Sequence, residues 1–260
     1  MDVTGRFASL VGDAKQEPPL DRAALLIAAH VHANLDLDQW LGRLDTLAAA
    51  CDAADFDSVR RLLFAVEGFR GNVERYDDPA NSFLDDVLER RLGIPISLAV
   101  VMLEVARRLD VPAVGVGMPG HFLVGDPESP GRFCDVFAGG AILDDDECAA
   151  IFRRAVGANH AFEPSMLAPV RPRQILARML ANLERSPLAA DPVHATWMAT
   201  LHLSIAGLPA PERVVVARRL GQLGNITNAA DALDQLADEI PGDVAPRLRG
   251  EARSLRARLN

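Results

Sequence analysis

The chain has 260 residues, a net charge of −9, and 49% hydrophobic against 24% charged residues. That is the composition of a globular protein, long enough for one large domain or two modest ones. The acidic balance leaves no overall basic footprint for nucleic acid. No apolar run reaches the length of a membrane-spanning helix, and no apolar segment follows a basic start at the N-terminus. A cytoplasmic protein without nucleic-acid or membrane partners is the expectation.

Three scattered cysteines, Cys51, Cys134 and Cys148, fit neither a disulfide framework nor a zinc spacing. Lys15 is the only lysine, and the Arg- and Ala-rich composition reads as that of a GC-rich bacterial genome. In chain order, residues 3–12 predict a short amphipathic helix. A second starts near Asp21 and buries Leu25, Ile27, Ala28 and Val31. His30 and His32 on that helix point to different sides and do not chelate together, so no metal ligand set is expected. A third helix starts at Asp36 or Asp38, with Trp40, Leu41, Leu44 and Leu47 at core spacing. A fourth covers 58–67 and ends at Gly68.

The loop 68–81 (GFRGNVERYDDPAN) is punctuated by Gly68, Gly71, Asn72 and Pro79 and carries the only tyrosine, Tyr76. It reads as a rigid connector whose Asn side chains bond backbone groups, or as the lining of a pocket. Asn72, Tyr76, Asn81 and Ser97 are the pocket candidates. Asn81 or Ser82 caps a short helix that ends near Arg91 and is broken by Gly93. Pro95 then suits the first position of the next helix, where a missing N–H costs nothing. That helix, 95–109, is apolar on most sides and therefore buried. Strands follow at 111–116, 121–124 and 133–137, with a turn at 118–120 and a loop at 125–131. The pairs Arg90–Arg91 and Arg107–Arg108 read as solvated helix faces.

The acidic run Asp144 to Glu147 suits the first turn of a helix reaching about Ala155, and its consecutive carboxylates lack the alternation of a calcium loop. Residues 157–172 carry three prolines and read as a linker. Five helices follow. His194 and His202 lie too far apart on theirs to share an ion. RRLGQLGNITNAADALDQLADEIP resembles the latter half of a tetratricopeptide unit, with Leu220–Gly221, Ala229–Ala230 and Pro241 at its small-residue and terminal-proline positions.

Residues 81–137 resemble the transglutaminase-like superfamily. GFRGN (68–72), DDPANSFLDDVLERRLGIPIS (77–97) and PGHFLV (119–124) resemble its SirB-type branch. The resemblance implies an α+β fold: a transglutaminase-like (papain-like) core with a helical N-terminal lead-in over residues 1–160, then a helical, repeat-like region over 172–260. It also implies acyl-transfer chemistry, in which a Cys at a helix start is deprotonated by a His that an Asp orients. The His and Asp fall on His121 and Asp135. The Cys position falls on Pro95, with Ala99 at the small residue of the next turn.

No replacement nucleophile is evident. Ser97 lies two residues on, about 200° around the helix, and reads as a first-turn serine satisfying free N–H groups. Cys134 neighbours Asp135 on a strand and so points to the other face. Two readings stay open. One is a non-catalytic protein with a residual dyad that acts through an unknown protein partner. The other is a hydrolase or acyltransferase using His121 and Asp135 on water or a substrate-supplied nucleophile. No cofactor is expected.

Overall fold

The computed structural model describes residues 2–240 and 242–259, so Pro241 lies outside the described residues. The chain divides into two compact units. One comprises residues 19–179; the other joins the first 18 residues to those from 180 onward. The N-terminal helix groups with the C-terminal helices, and the division falls near residue 180.

The 19–179 unit is built around one buried helix. Helix α1 (Val3–Val11) belongs to the other unit. Next come α2 (Leu20–Ala28), α3 (Leu37–Ala49) and α4 (Phe56–Arg61), which continues into a π-helical turn at Leu62–Val66. After the two-residue strand β1 (Arg70–Gly71) come α5 (Leu84–Arg90), β2 (Leu92–Gly93) and α6 (Pro95–Arg108). Helices α2, α3, α4 and α5 all pack on α6, and α6 packs on β3 (Val114–Val116) and β4 (Leu123–Gly125). From Pro95 to Ala106 every residue of α6 except Leu103 is buried, as the near-continuous apolar run requires.

β1 and β2 pair in parallel as a two-stranded sheet; the five-stranded sheet is antiparallel throughout, in the order β6-β5-β4-β3-β7, with β5 at Phe133–Asp135, β6 at Ala141–Leu143 and β7 at Pro169–Val170. β7 comes from the proline-bearing stretch expected to be a linker, and β6 from the turn after Gly140. Both edge strands are short. The observed strands are also shorter than expected, and His121 precedes β4 by two residues instead of lying on it.

Helix α7 (Asp145–Val156) starts on a reciprocal cap. Asp144 Oδ1 accepts the Glu147 N–H at 2.9 Å, and Glu147 Oε2 accepts the Asp144 N–H at 3.0 Å. This satisfies two otherwise orphaned donors. The Cys148 and Phe152 side chains of α7 close a core with Val116, Met118, Leu123 and Phe133.

The start of α5 differs from the expectation. Asn81 ends a short 3₁₀ turn (Pro79–Asn81), and Phe83 precedes α5 with no side-chain cap. Arg91 closes the helix in the left-handed region (φ 57°). α8 (Pro172–Leu183) crosses the division between the units. In the second unit α1 packs on α9 (Pro192–Ser204), and α9, α10 (Ala210–Gln222), α11 (Ile226–Glu239) and α12 (Val244–Arg256) pack in sequence. Among the described residues no helix is long and apolar enough to cross a membrane.

Candidate functional site

His121 and Asp135 come together. Nε2 of His121 lies 3.0 Å from Oδ1 of Asp135, with both side chains largely buried. The contact lies off the ring N–H axis, so Nε2 has no in-line hydrogen-bond partner among the described residues. The turn after β5 fixes Asp135, because Oδ1 also accepts the backbone N–H of Phe137 at 3.0 Å and of Ala138 at 3.1 Å. Burial pushes this carboxyl up, but His121 and the two N–H groups outweigh it and hold it below the ordinary carboxylate range. On the other side, the Arg178 guanidinium anchors the turn before β4 by donating to the carbonyls of Met118 (3.0 Å) and His121 (2.6 Å).

An aromatic chain leads away from the pair. The His121 ring stands edge-on to Phe137 at 6.5 Å, and Phe137 edge-on to the half-exposed Tyr76 at 5.8 Å. Gly71 backs this chain. A Cβ there would sit 2.4 Å from the Phe137 ring, and the Gly71 N–H donates to the Phe137 carbonyl at 3.2 Å. Glycine is therefore required at 71 for close approach.

The other pocket candidates brace one another and present no free group. Asn81 is fully buried, and its amide is saturated. Nδ2 donates to the carbonyls of Arg75 (2.7 Å) and Tyr76 (3.1 Å), while Oδ1 accepts from Asn72 Nδ2 (2.9 Å) and Arg90 Nη2 (3.3 Å). That uses all four of its hydrogen-bonding positions. Ser97 Oγ donates to the Asn81 carbonyl at 2.5 Å and accepts the Ile94 N–H at 3.1 Å. Asn72 completes the brace by donating its N–H to the Gly93 carbonyl at 3.0 Å. This network ties the 68–81 loop to the start of α6. Its members spend their hydrogen bonds on one another and on neighbouring backbone groups.

Pro95 is the first residue of α6 and is buried. The thiols offer no activated alternative. Cys134 is fully buried in β5, paired across from Val124, and burial pushes its thiol up to about 12. Alternation along the strand puts it on the face opposite Asp135. Burial also pushes the Cys148 thiol up to about 12, with the nearby carboxylates adding to it. Burial raises Cys51 as well. A reactive cysteine needs the opposite environment, a lowered pKa beside positive charge.

Charged groups that sequence reasoning read as solvated lie inside the fold. Arg108 is only 11% exposed and reaches Asp21, Asp45 and Glu104. His30 and His32 lie beyond the end of α2, not on it, and His32 reaches across to Asp85 and Asp86 on α5. The signal was faint, since neither spacing along the chain nor hydropathy links residue 32 to residue 85.

Comparison with known proteins gives the lineage. A UPF0162 protein of Xylella fastidiosa is 40% identical over 182 residues, covering 64% of this chain and 63% of that protein. A UPF0162 protein of Pseudomonas aeruginosa is 35% identical over 187 residues, 67% of each chain. F-box only protein 21 of Mus musculus is 31% identical over 143 residues, which are 49% of this chain and 21% of that one. The chain thus spans about 63% of the length of the Xylella relative. The family model described as the transglutaminase-like superfamily matches residues 27–181, more than half of the chain and nearly all of the unit built on α6, and the chain belongs to that superfamily.

Proposed function

We propose that this chain is a SirB-type member of the superfamily that has lost thiol chemistry and acts by binding another protein. The observation that carries the reading is the start of α6. In the superfamily's chemistry a helix N-terminus lowers the thiol pKa and a His takes its proton. By the resemblance that position falls on Pro95, the first residue of α6; the neighbouring hydroxyl of Ser97 is consumed by the Asn81 carbonyl and the Ile94 N–H, and all three native thiols are pushed up rather than down.

Two further features support a binding role. The C-terminal helices read as tetratricopeptide-like packing, and α10 and α12 enclose an open groove of about 650 Å³. Leu233 and Leu255 line it together with Arg218, Arg247 and Arg258, and its one acidic lining residue, Glu251, is paired with Arg218. That charge favours an acidic segment of a partner. The matched region is also a fifth of the length of a relative named for an F-box, which fits a domain used as one part of a larger protein. The hydrolase reading rests on the retained 3.0 Å approach of His121 to Asp135.

The test is covalent trapping. The native protein, incubated with glutamine-amide and activated-ester substrates, should show no acyl adduct by intact-mass spectrometry. Pro95→Cys should introduce a thiol that iodoacetamide modifies faster than Cys51, Cys134 or Cys148. An adduct on a native residue would favour the hydrolase reading and overturn this one.

A further inference from the structure

A second histidine–carboxylate constellation lies apart from His121. After α2 the chain turns through residues 29–34 and lays His32 against the first turn of α5. Nδ1 of His32 is 2.5 Å from Oδ2 of Asp85, and Nε2 is 3.4 Å from Oδ2 of Asp86. The Phe83 ring meets the imidazole edge-on at 5.5 Å. One donor atom from each of the three residues falls within 4.8 Å of the other two.

Proximity of a histidine and two carboxylates is common and carries little alone. The independent observation is at Asp85. This residue is 5% exposed, and while Oδ2 meets His32, the companion oxygen Oδ1 has no hydrogen-bond partner. A buried carboxylate oxygen left unpaired carries its full desolvation penalty, so native folds fill such positions. The nearby cation does not fill it. Arg90 Nη2 is engaged with Asn81 at 3.3 Å and Asp78 at 3.6 Å, and Nη1 is buried and makes no hydrogen bond to Asp85 or to any other described residue. Nearby negative charge is also in excess. Burial, and then the Asp85 charge beside it, raise the Asp86 carboxyl against the pull of His32 and Arg90. Asp86 and His32 remain partly exposed, at 27% and 34% of their side chains, so the cluster is open to solution.

We infer that His32, Asp85 and Asp86 form a binding site for a divalent transition-metal ion of the zinc or manganese kind. One imidazole nitrogen and two carboxylates make a borderline-to-hard donor set, which suits these ions. It lacks the sulfur that selects Cu(I), and its imidazole is foreign to the all-oxygen cages of calcium. Metal–nitrogen and metal–oxygen bonds of about 2.0–2.2 Å require His32 and Asp85 to part slightly on loading. The ion then displaces the proton they share, and that proton is released to solvent. Three protein donors leave at least one coordination position for water. The site is separate from the His121 pair, so it stands or falls independently of the proposed function.

The experiment uses the full chain in a Cys51→Ser background, which removes the half-exposed thiol as a competing zinc ligand. After chelator treatment, Zn²⁺ is titrated by calorimetry in two buffers of different ionisation enthalpy, and bound metal is counted by mass spectrometry. One saturable equivalent with net proton release is expected. Loss of an outer-sphere partner alone weakens metal sites by about 10–100-fold, so His32→Gln and Asp86→Asn should each weaken binding by at least about 100-fold. Absence of a saturable equivalent, or one that both variants retain, overturns the inference. A readout on the unmutated site guards against a variant that fails to fold: Zn²⁺ should shift the His32 ring resonances by NMR, and unchanged ring resonances at saturating Zn²⁺ overturn the inference equally.

Discussion

Two adjacent arginines at the end of α6 should differ several-fold in their worth to the fold. Arg108 lies at the centre of three carboxylates: Nη2 is 2.7 Å from Asp21, Nη1 2.8 Å from Glu104 and Nε 2.6 Å from Asp45. Asp21 and Glu104 are 6% and 3% exposed, so these contacts lock α2 to α6 in a nearly dry setting. Burial works to raise Asp21, but the hydrogen bonds from Arg108 and the Arg22 N–H hold its carboxyl below the ordinary range. Burial, then the Asp21 charge, push Glu104 up. Arg108→Met keeps the aliphatic stem and removes the charge, leaving two like charges buried together. Breaking a buried pair from one side costs about 3–5 kcal/mol. Arg107 still reaches Glu104 at 2.8 Å and Asp21 at 3.3 Å, but with 59% of its side chain exposed it compensates weakly, which favours the low end, about 3 kcal/mol. Arg107→Met removes those two contacts, both made by a mostly exposed guanidinium while Arg108 still holds the same carboxylates, and should cost about 1 kcal/mol or less. At about 2–4 °C per kcal/mol for a unit of this size, Arg108→Met lowers Tm by about 6–12 °C, and Arg107→Met by no more than about 4 °C. Of the two tryptophans, Trp40 lies in this unit and Trp197 in the other. Urea and thermal unfolding followed by Trp40 fluorescence in a Trp197→Phe background therefore reports on the right part of the chain. Equal losses for the two substitutions would refute the argument, as would an Arg108→Met variant within about 1 kcal/mol of the parent.

The C-terminal helices carry a proton-dependent clamp. His202 is 4% exposed between Glu184 (3.0 Å) and Glu212 (3.0 Å), and although burial lowers its pKa, the two carboxylates outweigh burial and raise it. A raised histidine stabilises fully below the unfolded value of about 6.5 and loses that contribution as pH rises through the folded value. The stability gap between parent and His202→Gln, read by Trp197 fluorescence in a Trp40→Phe background, should therefore shrink between pH 6 and pH 9; a constant gap would exclude the clamp. At Gly71 the 2.4 Å approach to Phe137 predicts that Gly71→Ala costs about 1–3 kcal/mol through overpacking and moves the His121 ring resonances, because Phe137 stands between them. Unmoved resonances in a folded Gly71→Ala protein would sever that link.

What the sequence could disclose depended on the range of each interaction. The apolar run from Ile96 onward, Pro95 at its start and the acidic run before α7 are local signals, and local geometry settles them: the helix start at Pro95 and the reciprocal cap of Asp144 with Glu147 follow from neighbours a few residues away. The close approach of His121 to Asp135 was approached through resemblance, because antiparallel pairing of β4 with β5 is what brings residues 14 apart in the chain into contact. The charges were the least legible. Arg107 and Arg108 look identical in a sequence window, yet one is 59% exposed and the other 11%; both reach Asp21, and Arg108 also meets Asp45, 63 residues away in the chain. Asn72, Asn81 and Ser97 show the same limit from the other side. Polar residues in a glycine-punctuated loop read as pocket groups until their partners are known, and here the partners are one another. A free polar side chain and a saturated one carry the same letter. Only the count of their bonds separates a brace from a binding group, and that count puts the unsatisfied atoms of α5 on Asp85 Oδ1 and Arg90 Nη1 rather than on the loop.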